Sequence, residues 1–318
     1  MVADAWSVRL DDCTMLAMNR SMPTRYSKWL SALVSVLLLA GCSGSAPEQP
    51  SAEARPEPAD DPPSLRIVSL SPAMTQILVD LGLRDAIVGR SPWCTAVERS
   101  VPVAGDLINV DLEVISRLRP THITLQRHAG GIDQSLQRIA TQRGWILLDW
   151  TINTLDDVVD VINAMEAAFR EEMPAIEHAA DAWRGSIASV RTPDPAVFTG
   201  PVLITMPGDP PLVFGQGTYL HDLLEGMGGT NAAVLTGWGQ MTLEDITRLN
   251  PAALIVVRRE DYDVSDPAGS LMQLEIDAVR DGRVVVFAHP DATIPSTRVV
   301  EVAIELRSLL TALAEHQP

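Results

Sequence analysis

The chain has 318 residues, enough to bury a large core and to form two domains, and its composition is globular, at 46% hydrophobic and 20% charged. A net charge of −17 argues against nucleic acid or an anionic membrane surface as the binding partner. Aromatic residues make up only 4%, yet 7 residues are Trp, so each Trp position carries information.

The N-terminal stretch reads as an address. Arg20, Arg25 and Lys28 precede the apolar run 29–40, which is too short to span a bilayer and suits a signal h-region. Residues 1–19 read as an over-long start, because Met18 or Met22 would leave a conventional signal. The run ends Leu39-Ala40-Gly41-Cys42, which resembles a bacterial lipobox. The expectation is a signal peptide over 1–41, cleavage before Cys42, and lipid on that cysteine. A plain signal peptide with a chance cysteine is the alternative. Residues 42–64, rich in Pro, Ala, Glu and Asp, are then a flexible tether. The chain is thus expected to be exported, on the periplasmic or cell-surface side, and to touch the membrane through the lipid anchor only. With Cys13 and Cys42 assigned to the leader, Cys94 has no disulfide partner, and a small buried residue is the plain reading of it.

Residues 65–152 read as a first lobe in which strands alternate with helices. Strands are expected at 66–70, 86–89, 101–104, 122–126 and 145–149, and helices at 73–81, 111–118 and 132–143. Such alternation gives a largely parallel sheet with ligands outside the carboxyl ends of its strands. The connecting segment is 153–192. Within it Leu155, Val158, Ile162, Met165, Phe169, Met173, Ile176, Ala180, Trp183, Ile187 and Val190 form one helical stripe. One helix over 155–190 would run roughly 54 Å. Pro174 opposes it, and two helices with a turn near 171–173 is the other reading. Residues 193–318 read as a second lobe, with strands at 201–206 and 283–287, a helix at 219–227 and a closing helix at 296–314.

The two lobes echo each other. Leu112-Glu113-Val114-Ile115-Ser116-Arg117-Leu118-Arg119-Pro120 and Leu243-Glu244-Asp245-Ile246-Thr247-Arg248-Leu249-Asn250-Pro251 share L-E-x-I-[S/T]-R-L-x-P at a constant offset of 244 − 113 = 131, and each leads into an apolar strand. The fold class expected is α/β, two Rossmann-like lobes with mostly parallel sheets joined by a long backbone helix.

Arg66-Ile67-Val68-Ser69-Leu70-Ser71-Pro72-Ala73, then Thr75, Ile77-Leu78, Leu81-Gly82-Leu83, Val88-Gly89, Trp93-Cys94 and the L-E-x-I segment, resemble in order and spacing the cobalamin- and siderophore-binding proteins of ABC importers. These have the class III periplasmic binding protein fold, and the resemblance covers about 65–316. It implies a substrate-binding lipoprotein that captures a corrinoid between two lobes and delivers it to a permease dimer with its ATPase. A ferric siderophore or haem is the runner-up. The ligand is cargo, with no cofactor and no covalent chemistry.

The resemblance sharpens several residues. Trp93, beside Pro92, is a core plug or a platform for a flat ring, and the family places an aromatic there. Arg127 suits a carboxylate or phosphate, while His128 next to it reads as a solvated loop residue. Leu212 and Phe214 stand where the family touches its ligand. Trp238, held between Gly237 and Gly239, matches a family Trp placed four residues before a Ser/Thr. His289 and Arg298 are cleft candidates, with a structural role for Arg298 equally open. Glu113 and Glu244 sit in the first turn of their helices, where a carboxylate favours the helix dipole and caps N–H groups. In the family such a Glu on each lobe docks onto the permease.

Other classes fit less well. A free Zn²⁺ or Mn²⁺ carrier needs clustered His and carboxylates, and the histidines are scattered. The chain lacks G-x-S-x-G, H-E-x-x-H and P-loop patterns, so an exported enzyme is not expected. A non-binding structural lipoprotein is the remaining alternative.

Overall fold

The computed structural model describes residues 64–127, 131–258 and 268–315. Cys42, the tether and His128 lie outside the described residues. The described residues lie in one compact unit.

The first half begins with β1 (Ile67–Ser69) and α1 (Pro72–Asp80), then β2 (Ile87–Arg90), α2 (Leu112–Leu118), β3 (His122–Gln126), α3 (Gln134–Arg143) and β4 (Ile146–Trp150). Its four strands run in the order β2-β1-β3-β4, and every pairing is parallel. Residues 101–104, expected as a strand, make one isolated parallel bridge, Arg90 with Val103. The second half follows α4 (Leu155–Phe169) and α5 (Ile176–Ser189). It comprises β5 (Pro201–Met206), β6 (Leu212–Phe214), α6 (Tyr219–Gly226), β7 (Thr230–Asn231), β8 (Trp238–Gln240), α7 (Leu243–Leu249), β9 (Ala253–Arg258), α8 (Asp277–Arg280), β10 (Val284–Ala288) and α9 (Val299–Glu315). The sheet order is β10-β9-β5-β6-β8, with β7 beside the start of β5. Strands β10, β9 and β5 are parallel, and β6 is antiparallel to both β5 and β8. The α/β class and the mostly parallel sheets are as expected.

The connection differs from the expected long helix. Residues 155–190 form two helices, and the second folds back along the first. Arg184 Nη1 on α5 lies 2.7 Å from Glu166 Oε2 and 2.8 Å from Asn163 Oδ1 on α4, and Arg191 Nη2 lies 2.7 Å from Asp156 Oδ1. One straight helix would hold residues 18 apart at roughly 27 Å. Pro174 is the reason: it lies in the turn between Phe169 and Ile176, where its missing N–H costs no helical bond. The single stripe read from the sequence is two stripes facing one core. Leu155, Val158, Ile162, Met165 and Phe169 are buried from α4, and Ile176, Ala180 and Ile187 from α5. The start of α4 is fixed by a capping box between Thr154 and Asp157.

That core belongs to both halves. One continuous cluster contains Ile67, Met74 and Ile77 from the first half, the α4–α5 hairpin, and Ile204, Ile255, Phe287, Val302 and Leu306 from the second. Each sheet buries its other face in a separate small cluster, around Ile115 and Ile123 in the first half and around Ile246 and Leu254 in the second. The halves are therefore two sheets on one shared core. Asp80, at the end of α1, adds a polar tie. Its side chain is 8% exposed and meets Thr297 Oγ1 at 2.5 Å and Arg298 Nη2 at 3.1 Å, while Trp183 of α5 donates to its carbonyl at 3.2 Å.

The repeated segments form matching units. Helices α2 and α7 have the same length, bury Ile115 and Ile246, and end on left-handed residues, Arg119 at φ 45 and Asn250 at φ 47. Ser116 and Thr247 each bond the carbonyl four residues back, Leu112 and Leu243, at 2.7 and 2.8 Å.

Candidate functional site

The all-parallel first sheet puts the ends of β1 to β4 on one edge, and two sequence candidates stand there. Trp93 lies in the loop after β2, 60% exposed. Its indole N–H donates to Asp106 at 3.4 Å, and its backbone N–H to Ser91 Oγ at 3.2 Å. The backbone N–H groups of Asn109 and Ile108, together with the indole, hold the Asp106 carboxyl below its usual value, against the effect of burial. Gly105, at φ +105, makes this turn possible, because a Cβ there would collide with the Asn109 carbonyl. Beneath the loop is a buried layer of hydroxyls. Thr75 Oγ1 lies 2.8 Å from Ser69 Oγ and 2.9 Å from Cys94 Sγ, and Ser91 Oγ lies 3.2 Å from Cys94 Sγ. Arg90, also buried, donates to the carbonyls of Ser91, Arg99 and Val101. Trp93 is thus an exposed ring on a rigid seat, and Cys94 is part of that seat.

Arg127 follows β3 on the same edge. Its Nε lies 2.5 Å from Asp149 Oδ2 on β4, and its backbone N–H donates to Trp150 at 2.7 Å. The side-chain hydrogen bond to Asp149 and the Asp149 charge hold the guanidinium above its usual pKa.

In the second half Phe214 and Trp238 are register partners on β6 and β8, with ring centroids 5.6 Å apart. Trp238 is 41% exposed, whereas Phe214 is fully buried in the shared core. Phe214, expected to touch ligand, has its ring packed in the shared core and against Trp238, which it supports. Leu212, two residues back, opens β6 and is half-buried opposite Met206 at the end of β5.

His289 and Arg298 come together between the halves. They line a cavity of ≈ 430 Å³ with Asp291 and Glu301 on one side and Gln76 and Thr95 on the other. Thr95 follows Trp93 by two residues, so the cavity opens beside the Trp93 loop. Arg298 is bound at both ends, to Asp80 and, at 2.8 Å, to Glu301. Burial pulls the guanidinium down, but the charges of Asp80 and Glu301 outweigh it and hold it above its usual value. Burial likewise raises Asp291, although His289 and Arg298 oppose the shift. His289 Nδ1 accepts the Asp291 backbone N–H at 3.0 Å. Arg298 therefore carries a structural role as well as lining the cavity.

Glu113 and Glu244 are exposed and far from capping duty. Asp111 accepts from Glu113 and Val114, and Thr242 accepts from Asp245. Among the described residues neither Glu side chain has a hydrogen-bond or ion-pair partner. Sequence reasoning missed Asp80, Asp106 and Asp149, each a lone carboxylate in an unremarkable context. The only signal was their position at strand or helix ends.

No three His, Cys, Asp or Glu side chains cluster to hold a metal ion among the described residues. Nor is any described helix long and apolar enough to cross a membrane.

The architecture is that of class III periplasmic binding proteins. The chain is similar to the periplasmic vitamin B12-binding protein of Vibrio cholerae, with TM-score 0.63 and 20% identity over 80% of this chain and 99% of that one. It is also similar to a periplasmic haem-binding protein of Roseiflexus sp. RS-1, with TM-score 0.62 and 20% identity over 79% and 99%. These likenesses show the fold. In sequence it is 26% identical over 313 residues to an uncharacterized ABC transporter substrate-binding lipoprotein of Bacillus subtilis, covering 90% of this chain and 96% of that protein. No family model matches the chain. All three relatives are described as binding proteins, which agrees with the expectation that the chain is not an enzyme.

Proposed function

We propose that the chain is the substrate-binding component of an ABC importer and that it captures a corrinoid between its two halves. The observation that carries this reading is an exposed tryptophan on each half, Trp93 and Trp238, each on a built support. A flat ring gains most of its binding energy from such faces, and a seated ring loses little entropy on contact. The Bacillus relative's description as an importer lipoprotein supports the class. Cys42 would carry the lipid, and Leu212, Arg127, His289 and Arg298 would border the ligand.

Glu113 and Glu244 would dock onto the permease dimer. Two exposed, unpaired carboxylates on two matching helical units suit a partner built from two similar subunits. The shared core supports small movement between the halves on binding. Haem or a ferric siderophore is the second reading, favoured by the haem-binding proteins among the similar structures.

The test is a calorimetric titration of residues 43–318, which contain the whole compact unit, with cyanocobalamin, cobinamide and haemin. Sub-micromolar binding of either corrin, weakened in Trp93→Ala, is the expected result. Heat with haemin alone would move the ligand to the second reading. No heat with any of the three would refute macrocycle capture.

A further inference from the structure

The charges on the binding edge carry a sharper statement. The two arginines read as cleft candidates each already have a carboxylate. Arg127 is paired with Asp149 at 2.5 Å, and Arg298 with Asp80 at 3.1 Å and Glu301 at 2.8 Å. Arg298 is committed to holding the halves together. Arg127 is different: its side chain is 55% exposed, on the edge that carries Trp93, and among the described residues Asp149 is its one side-chain partner. The pair is fixed at both ends. Asp149 lies within β4 opposite Leu125, and the Arg127 backbone is bonded to Trp150 on the same strand. Asp149 takes the Nε–H, so a ligand carboxylate reaching the other N–H groups of Arg127 must share one positive charge with Asp149 and lie beside its negative charge. An amide or other uncharged group meets no such penalty.

We propose that Asp149 is a specificity-determining residue of the cleft: it neutralises Arg127 and so selects flat macrocyclic ligands whose edge carries amides rather than free carboxylates. The proposal rests on the reading of the cleft as a macrocycle site. It also accounts for an arginine on a binding edge that does not act as an anion clamp.

The test uses the detergent-solubilised full chain and two probes with one ring system. Dicyanocobinamide carries amides around the corrin, and dicyanocobyrinic acid carries carboxylates. Asp149→Asn is expected to tighten the acid about tenfold relative to the amide, the scale of one charge-assisted hydrogen bond. Adding Arg127→Gln to Asp149→Asn should cancel the gain, which a merely structural role for Asp149 would not do. An equal change for both probes, or a gain that survives Arg127→Gln, overturns the proposal. Haemin, with two carboxylates, separates the two levels. If the wild type binds haemin and neither corrin, the corrinoid reading fails but Asp149→Asn must still tighten haemin about tenfold. Unchanged haemin affinity then overturns the proposal. If wild type and variants bind none of the three, the macrocycle reading fails and the proposal falls with it.

Discussion

The two halves are alike on one face and unlike on another. Helices α2 and α7 match in length, buried isoleucine, hydroxyl back-bond and left-handed ending. The edges that carry Trp93 and Trp238 share no such correspondence. In the first half the edge is a purely parallel sheet with buried hydroxyls below Trp93 and an ion pair beside it. In the second, the sheet turns antiparallel at β6 and β8, and Trp238 rests on a buried phenylalanine. On the proposed function the difference has a simple meaning. A partner with two similar subunits asks the same of both halves, whereas one unsymmetrical ligand asks something different of each.

The comparison can be broken at several points, taken here from the largest effect to the smallest. Phe214→Ala should cost about 3–5 kcal/mol, because it opens a cavity in the shared core, and should also release Trp238. Urea unfolding followed by a ligand titration reads both losses. Trp93→Ala should leave the unfolding midpoint nearly unchanged, since the ring is exposed, while lowering corrin affinity by about 2 kcal/mol or more. Equal stability losses in the two variants would erase the distinction between support and contact.

Asp80→Ala removes a carboxylate that is 8% exposed and leaves Arg298 and Thr297 without their shared partner. A loss of about 2–3 kcal/mol is expected, less than for a fully buried pair because Arg298 is partly solvated. Asp149→Ala, which breaks a solvated pair, should cost about 1 kcal/mol or less. The ratio between these two, measured in the same urea series, tests whether the tie between the halves is structural and the pair on the edge is not.

A pH difference separates the halves as well. His122 opens β3, and Ala253 opens β9 at the same offset, 253 − 122 = 131. Burial pushes the imidazole below its usual 6.5, only partly opposed by the charge of Glu172, and the ring stands edge-on to Phe169. The unfolded chain therefore binds this proton more readily. Stability due to neutral His122 is full above pH 6.5 and declines as pH falls from there through the lower folded value. His122→Ala should flatten the stability profile over that range, and an unchanged slope would contradict the assignment. The smallest effect on stability is expected for Glu113→Arg and Glu244→Arg, within about 0.5 kcal/mol at these exposed sites. Cellular uptake of the ligand should nevertheless fall in each and collapse in the pair.

Much of the fold was legible because its signals are local. Strand alternation and the repeated nonapeptide each act within a few residues, and most elements of the first half fell where those patterns put them, residues 101–104 excepted. The hairpin was not legible to the same degree, since one apolar stripe fits a straight helix and a folded pair equally well. Pro174 was the lone local hint, and the pairing of Glu166 with Arg184 is visible only in three dimensions. In the site, Trp93 and Trp238 were singled out by the family resemblance, with Pro92 beside one and Gly237 and Gly239 around the other as the local signal. The burial of Phe214 was not legible, because a strand only three residues long gives no alternation by which to tell its faces. The carboxylates Asp80, Asp106 and Asp149 act through partners 217, 13 and 22 residues away, distances that no spacing rule covers.

The most direct measurement is a crystal structure of the chain with cyanocobalamin. The account predicts the corrin between the two halves, one face or edge against Trp93 and another against Trp238, with the Arg127–Asp149 pair intact beside it. A corrin bound elsewhere, or one held by a freed Arg127 with neither tryptophan in contact, would contradict it.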